Sequence, residues 1–337
     1  MSTTTSGCRQ TRPSLIDRFG RRITYLRLSV TDRCNYRCLY CMDPTQRFAG
    51  RDAVLTLEEL LQVAEAFVGL GVRKIRLTGG EPLVRRNIAW LMRHVTELPG
   101  LDELVLTTNG AELEGKARAI RTAGVRRINI SLDTLRPERF RRISRMGDLA
   151  RVLRGIDAPL DVGFERIKLN AVILKGQNQD EITELVRFAV DKGVNISFIE
   201  EMPLGSVGNH DRAAAFYPSE RIRADLEPHV ALMPTTESSG GPARYFRIPD
   251  SDTRVGFISP RSHDFCGDCN RVRVTAEGRL LLCLGQEHSL DLRSILRTHP
   301  HESERLRTAI REAMKLKPHG HEFQLRNQKD LSRHMNV

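Results

Sequence analysis

The sequence is poor in aromatic residues and has no long apolar run. Phe, Trp and Tyr together make up 5% of its 337 residues. They are not interleaved with basic doublets such as Arg21-Arg22 and Arg141-Arg142. This argues against a single-strand nucleic-acid platform, which depends on aromatic rings that stack on bases. No stretch reaches the roughly 18 apolar residues of a membrane-spanning helix, so no membrane span is expected.

The N-terminus also lacks the apolar core of a secretion signal. We interpret residues 1–20 as a flexible N-terminal lead-in and expect a cytoplasmic protein. In that compartment cysteine clusters are more often metal sites than disulfides. The formal net charge is +11, which favours an anionic partner without identifying it.

Strand-like segments alternate with segments of helical periodicity along the first part of the chain. Such alternation implies parallel strands joined by helical crossovers. Six units of this kind predict an α/β fold, an incomplete (β/α)₆ barrel of the TIM type. The strand-like segments are rich in Val, Ile, Leu or Thr and cover 24–30, 73–78, 103–108, 126–132, 166–174 and 195–200. Clear helical patterns with Gly or Pro-Gly stop signals cover 56–71, 87–100 and 182–193.

Beyond the sixth strand-like segment the composition changes. Polar loops rich in Gly, Pro and Ser are followed by short strand-like segments at 253–259 and 271–283 and by a basic helix near the end. We place a soft boundary near 205–215. The partial barrel then covers 21–210, and a C-terminal region, 211–337, is expected to close it.

Six of the seven cysteines form two trios, and the seventh, Cys8, is interpreted as incidental. The trios are Cys34, Cys38 and Cys41, and Cys266, Cys269 and Cys283. Neither trio has a fourth cysteine nearby, whereas a structural zinc site is closed by four ligands. Zinc would therefore need a site shared between the trios, or His263 as an additional ligand.

Iron–sulfur chemistry suits three-cysteine sets better than zinc does. Each iron of a 4Fe–4S cluster takes one outer ligand, usually a thiolate. Three cysteines leave one iron open, and an open iron can bind a small molecule and pass it an electron. Each trio therefore predicts a 4Fe–4S cluster with one position vacant for a substrate or cofactor.

The first trio resembles the signature of the radical S-adenosylmethionine (SAM) enzymes. Its pattern, C-x₃-C-x-Y-C, follows the first predicted strand, as it does in that family. The segment RLTGGEP (76–82) resembles the family's loop for the amino group of SAM, and its paired glycines allow close approach of the backbone. The resemblance implies that SAM chelates the open iron and is cleaved to a 5′-deoxyadenosyl radical. It also implies the SAM-binding residues Tyr40, Gly80, Ser131 and Met202.

The second trio resembles the C-terminal motif of the GTP 3′,8-cyclases, the molybdenum cofactor biosynthesis protein A family. The spacing is C-x₂-C-x₁₃-C with NRVRV after the second cysteine, and the likeness extends from about residue 20 to about residue 335. It implies that the radical removes hydrogen from C3′ of GTP and that a new ring closes on C8. The product would be 3′,8-cyclo-7,8-dihydro-GTP, with the guanine held at the second cluster.

Basic residues on the predicted strands suit a triphosphate, because guanidinium groups bind phosphate oxygens bidentately. Arg271 and Arg273 are two residues apart and would project from one face of a strand. Arg27 and Arg76 would be costly in a plain barrel interior if unpaired. Positions that match the family identify the expected GTP-binding residues: Arg27, Arg76, Thr107, Lys168, Arg271, Val272 and Arg273.

The same resemblance implies partners. It implies a homodimer, a reductant such as flavodoxin or ferredoxin, and cyclic pyranopterin monophosphate synthase as the next enzyme; neither a membrane nor a nucleic acid is expected as a partner. Members of the family usually end in two glycines, whereas this chain ends SRHMNV. We therefore expect cluster assembly and SAM cleavage to be retained while GTP turnover is impaired.

Two other interpretations stay open at this point. One is a different radical SAM enzyme with an auxiliary cluster, which acts on a peptide or on tRNA. The other is a zinc-stabilised nucleic-acid-binding module without catalysis, whose binding would fall steeply with salt.

Overall fold

The computed structural model describes residues 14–205, 207–208, 210–263, 265–286, 288–321 and 323. In this part of the chain twelve strands form one sheet. The strands are β1 (Tyr25–Ser29), β2 (Lys74–Thr78), β3 (Glu103–Thr108), β4 (Arg127–Ser131), β5 (Arg166–Val172), β6 (Asn195–Ile199), β7 (Met233–Pro234), β8 (Arg244–Arg247), β9 (Arg254–Ile258), β10 (Arg271–Val274), β11 (Arg279–Leu281) and β12 (Ser289–Asp291).

Helices follow most of the parallel strands, and others lie in the C-terminal region. The α-helices of the described residues are α1 (Leu57–Gly69), α2 (Ile88–Thr96), α3 (Leu113–Thr122), α4 (Pro137–Ser144), α5 (Leu149–Asp161), α6 (Ile182–Asp191), α7 (Arg212–Ala215), α8 (Ser219–Leu226), α9 (Leu292–Thr298) and α10 (Ser303–Met314). None of them is long and apolar enough to cross a membrane.

The central part of the sheet is parallel. Its strand order is β12-β11-β10-β1-β2-β3-β4-β5-β6-β9-β8-β7, and every pair from β10 to β9 in that order is parallel. The outer pairs are antiparallel. The predicted α/β fold with six strand–helix units is thus confirmed. The C-terminal region adds one parallel strand to each edge, β10 beside β1 and β9 beside β6.

The parallel strands alternate between apolar and polar side chains. Leu26 and Leu28 of β1 are fully buried in the main core, which they share with helix residues such as Phe67 of α1. Between them Arg27 lies on the other face and lines a cavity, as does Arg76 of β2. Because successive side chains point to opposite faces, the sheet packs helices on one side and encloses a polar space on the other.

Part of the predicted lead-in belongs to the fold. Ile16 forms an antiparallel bridge with Arg22, and the Asp17 carboxylate pairs with the Arg21 guanidinium at 2.6 Å. The boundary predicted at residue 20 therefore lies too far along the chain. Cys8 and the C-terminal sequence SRHMNV lie outside the described residues, so the expectations attached to them remain predictions, as does the division near residue 210.

Candidate active site

A cavity of about 360 Å³ lies on the polar face of the sheet. All three cysteines of the first trio line it, and those of the second trio do not. Of the residues predicted to bind SAM or GTP, only Val272 is absent from its walls. The predicted residues that line the cavity are Tyr40, Gly80, Ser131 and Met202 for SAM, and Arg27, Arg76, Thr107, Lys168, Arg271 and Arg273 for GTP.

Val272 points away from the cavity. Its side chain is fully buried in the main core on the opposite face of β10. Arg271 and Arg273 flank it along the strand and line the cavity, as the alternation of side chains requires. A ligand in the cavity can therefore meet Val272 only through its backbone.

The first trio occupies the loop that follows β1. This loop is tied to helix α4, because Arg37 N donates to Ser144 O at 3.1 Å and Leu39 N donates to Ile143 O at 2.9 Å. Burial raises the pKa of all three thiols, and for Cys41 it does so to about 12 with help from the neighbouring Cys34. The three thiols thus lie close enough to affect one another at one wall of the cavity.

This arrangement fits a cluster better than a single ion. Among the described residues, no three His, Cys, Asp or Glu side chains come together as ligands of one metal ion. A 4Fe–4S cluster places each thiolate on a different iron and so spreads its ligands further apart. Three thiols that face a shared cavity agree with that requirement.

The paired glycines after β2 allow the cysteine loop to pack closely. A Cβ on Gly79, whose φ is +143°, would lie 2.3 Å from Thr31 O, and one on Gly80 would lie 2.2 Å from Arg33 O. Gly80 N donates to Thr31 O at 2.8 Å. The sequence suggested close approach of the backbone to a ligand. The structure adds a second reason, since the backbone that leads into the first trio occupies the same space.

Glu81 is a buried carboxylate that joins the ends of β2 and β3. Its two oxygens accept hydrogen bonds from Leu83 N at 3.0 Å, Thr108 Oγ1 at 2.7 Å and Asn109 N at 2.7 Å. Burial raises its pKa to about 7, and the hydrogen bonds only partly oppose that rise. Glu81 also lies near enough to Cys34 to raise the pKa of that thiol.

Asp133 is a second buried carboxylate at the same end of the cavity, and the sequence analysis did not identify it. Tyr40 OH donates to Asp133 Oδ2 at 2.7 Å, and Val172 N donates to Asp133 Oδ1 at 2.8 Å. Burial raises the pKa of Asp133 to about 6. Asp133 fixes the predicted SAM-binding residue Tyr40. The sequence signal that could have identified Asp133 is its position just after Ser131, where the parallel strand β4 ends.

The opposite end of the cavity is crowded with cations. Arg27 is paired in register with Arg273 on one side and with Arg76 on the other. The Nε atoms of Arg27, Arg271 and Arg273 are buried and have no hydrogen-bond partner. Burial, reinforced by the charge of Arg273, lowers the pKa of Arg27 to about 9. Burial also lowers the pKa of Lys168 well below its ordinary value, with Arg76 the next contributor.

Tyr25, Asn129 and Asn170, which were not predicted from the sequence, also line the cavity. Arg76 donates to Tyr25 OH and to Thr107 Oγ1, the latter at 2.9 Å. Asn129 and Asn170 line the cavity with buried Oδ1 acceptors that have no partner. Each stands on the cavity face of its strand. The alternation of polar and apolar residues along β4 and β5 was the signal that could have identified them.

The second trio lies near the start of β1, whereas the first trio follows its end. Thr24 N and Tyr25 N both donate at 3.1 Å to the carbonyl oxygen of Asn270, the residue after Cys269. Strand β1 has five residues and spans about 16 Å at roughly 3.3 Å per residue. Residues of this strand line the cavity between the two trios.

Cations surround the second trio. Burial acts to raise the pKa of Cys269, but Lys317, Arg271 and Arg273 outweigh it and lower that pKa below its ordinary value. Arg271 and Arg273 also line the cavity. The same guanidinium groups thus face the trio and the space in which a ligand would lie.

Two family models match the chain. The model of the Radical SAM superfamily matches residues 28–189, and the model named Molybdenum Cofactor Synthesis C matches residues 194–323. The first matched range ends at residue 189 and the second begins at residue 194, both before the predicted boundary near 205–215. The second range includes strand β6.

Relatives of high similarity span almost the whole chain. A protein named GTP 3′,8-cyclase from Pseudomonas entomophila is 57% identical and covers 96% of this chain and 97% of its own length. One of the same name from Marinobacter nauticus is also 57% identical, over 97% and 98%. Among solved structures, SuiB of Streptococcus suis bound to S-adenosylmethionine has a TM-score of 0.61 at 14% identity, over 85% of this chain and 68% of SuiB. That likeness concerns the fold alone.

Proposed function

The chain belongs to the family of GTP 3′,8-cyclases, and from this premise we propose that its cavity binds SAM beside the first trio and GTP at the cationic end. The protein is a radical SAM enzyme of molybdenum cofactor biosynthesis. Its cofactors are SAM and two 4Fe–4S clusters. The assignment of individual residues to these groups is our proposal.

Three guanidinium groups whose buried Nε atoms have no hydrogen-bond partner carry the proposal for GTP. Arg27, Arg271 and Arg273 would be costly to bury in this state. A triphosphate supplies several negative charges and the acceptors that these groups lack. Lys168 supports the same assignment, because it is 5% exposed and its ammonium donates to Tyr245 OH at 3.3 Å but pairs with no carboxylate of the described residues.

The first trio and the side chains around it suit SAM. When bound, the cluster and SAM would supply the radical chemistry that takes a hydrogen atom from C3′ of GTP; formation of the C3′–C8 bond would then be completed by one electron from the reductant and one proton. Tyr40, Gly80, Ser131 and Met202 line the cavity in the loops and strand ends near the trio. Asp133 holds the Tyr40 hydroxyl in place.

The polar residues between the two ends suit sugars. Asn129 and Asn170 present buried acceptors without partners, and ribose hydroxyl groups donate hydrogen bonds to such oxygens. Arg76 is oriented by Tyr25 and Thr107. We assign the guanine to the side of the second trio, beyond Arg271 and Arg273, whose pairing with β1 brings that trio beside the cavity.

The remaining partners are proposals of the same kind. We propose that a flavodoxin or ferredoxin supplies the electrons, that the product passes to cyclic pyranopterin monophosphate synthase, and that the enzyme acts as a homodimer.

Anaerobic reconstitution tests the proposal. Protein that is purified and loaded with iron and sulfide without oxygen is incubated with SAM, dithionite and GTP. We expect 5′-deoxyadenosine and 3′,8-cyclo-7,8-dihydro-GTP to form together, and neither to reach the same level when ATP replaces GTP. Formation of 5′-deoxyadenosine at one rate with and without GTP, with no cyclised nucleotide, would contradict it. Modification of an added peptide or tRNA would support the alternative radical SAM enzyme.

A further inference from the structure

A segment that follows α10, residues 317–320, lies against the second trio. Arg21, which is paired with Asp17, donates hydrogen bonds to the carbonyl oxygens of Cys266, Pro318 and His319, each at 2.6 Å. Gly320 lies against the same cysteine, where a Cβ would stand 3.4 Å from Cys266 Cβ. One guanidinium group therefore ties the segment to the trio.

Lys317 begins this segment and is 2% exposed. Its ammonium donates to Leu282 O, next to Cys283, at 2.6 Å and lies 3.8 Å from Cys269 Sγ. No ion pair joins Lys317 to a carboxylate of the described residues. A buried ammonium without a counter-charge is costly, so negative charge at the trio is the natural compensation.

Lys317 differs from the other cations near the trio. Arg271 and Arg273 line the cavity and would face a bound triphosphate, whereas Lys317 is not among the residues of the cavity wall. Its charge therefore faces the cysteines whether or not a substrate is present. Asp268, the carboxylate next to Cys269 in the sequence, is exposed to solvent.

We propose that Lys317 is a positioning residue for the second cluster: it holds the loop segments of Cys269 and Cys283 in place and raises the reduction potential of the cluster. The inference rests on the proposed function, because it requires the second trio to hold a cluster. Reduction adds one electron from an external reductant and leaves the cluster more negative. A fixed cation within a low-dielectric surrounding stabilises that more negative state, and net charge is one determinant of the potential of such clusters.

The test isolates the second cluster. In full-length protein whose first trio is replaced by alanine, the midpoint potential of the remaining cluster is measured by a redox titration monitored by EPR. The parent is compared with Lys317→Met, Lys317→Gln and Lys317→Arg. Lys315→Met is the matched control, since Lys315 is exposed and paired with Glu312 at 2.6 Å. Iron content and circular dichroism confirm that each variant is loaded and folded.

We expect a lower potential in the Met and Gln variants, and a potential near that of the parent in the Arg variant and in the Lys315 control. Equal potentials in all variants would overturn the inference, as would loss of the fold in both neutral variants, which would show a purely structural lysine. If the parent itself retains no cluster at the second trio, the proposed function fails rather than this inference.

Discussion

The two cysteine trios have the same ligand set but different electrostatic surroundings. Beside the first trio lie two buried carboxylates: Glu81 acts on Cys34, and Asp133 acts on the other two thiols. Beside the second lie Lys317, Arg271 and Arg273. The carboxylates disfavour added electrons and the cations favour them. We therefore expect the first cluster to have the lower reduction potential, which suits the donor of an electron to SAM.

The largest expected effect comes from removal of each trio in turn. Replacement of Cys34, Cys38 and Cys41 by alanine should abolish formation of 5′-deoxyadenosine, because the cluster that reduces SAM is lost. Replacement of the second trio should leave reductive cleavage of SAM detectable but abolish cyclised product. The two products are measured by liquid chromatography after anaerobic reconstitution. Identical phenotypes in the two variants would show that the trios do not divide the work in this way.

A second prediction concerns the cationic end that borders the second trio. Arg273→Met should lower kcat/KM for GTP by roughly 10- to 150-fold, the equivalent of the 1.5–3 kcal/mol of a hydrogen bond to a charged group. Formation of 5′-deoxyadenosine without GTP should change little. Steady-state kinetics measure both. Arg126→Met is the control, since the Arg126 side chain is 68% exposed; an equal loss in that variant would remove the argument for a specific contact.

A third prediction uses the buried carboxyl beside the first trio. The pKa of Glu81 rises on folding from 4.5 to about 7. A carboxyl with a raised pKa stabilises the fold while it is protonated, and this contribution is lost as pH rises through about 7. Relative to Glu81→Gln, the wild-type apoprotein should lose at most about 3 kcal/mol of unfolding free energy between pH 4.5 and pH 8.

Urea unfolding of both proteins, with thiols kept reduced, measures that difference. The amide in the variant also changes the hydrogen bonds of Leu83, Thr108 and Asn109, but this offset does not depend on pH. A difference that is constant from pH 4.5 to pH 8 would show that the carboxylate is fully stabilised by its three donors.

The smallest expected effect concerns Asp133. In Asp133→Asn one of the two hydrogen bonds that the side chain accepts, from Tyr40 OH or from Val172 N, is weakened, at a cost of about 0.5–1.5 kcal/mol. We expect a roughly 2- to 12-fold rise in KM for SAM and no change in the potential of the second cluster. Asp161→Asn, at an exposed position at the end of α5, is the control. A shift in KM for GTP alone would contradict a role beside the first trio.

Much of the fold was predictable from local patterns. The observed strands β1 to β6 fall within the predicted segments, because each is a short run of β-branched and aliphatic residues that ends at a turn residue. The pairing of β10 with β1 was not predictable. It joins residues from opposite ends of the chain, and no local pattern specifies such a register.

The candidate site was predictable where a motif marks it. Cys34, Cys38 and Cys41 stand at a specific spacing, and the structure brings them to one cavity. Asp133 and Lys317 do not belong to a recognisable sequence motif. Their importance lies in burial and in contacts with distant residues, which only the fold reveals.

The position of β10 has a consequence for synthesis of the chain. Strand β1 leads into the loop of the first trio, yet one edge of this strand stays unpaired until residues 271–274 have left the ribosome. Strand β6 likewise has one unpaired edge until β9 has been synthesised. Unpaired edges invite association between chains, and pairing between distant segments is slow. A nascent or truncated polypeptide that ends before β9 would therefore expose both flanks of its sheet, and we expect it to aggregate rather than persist as an independent barrel.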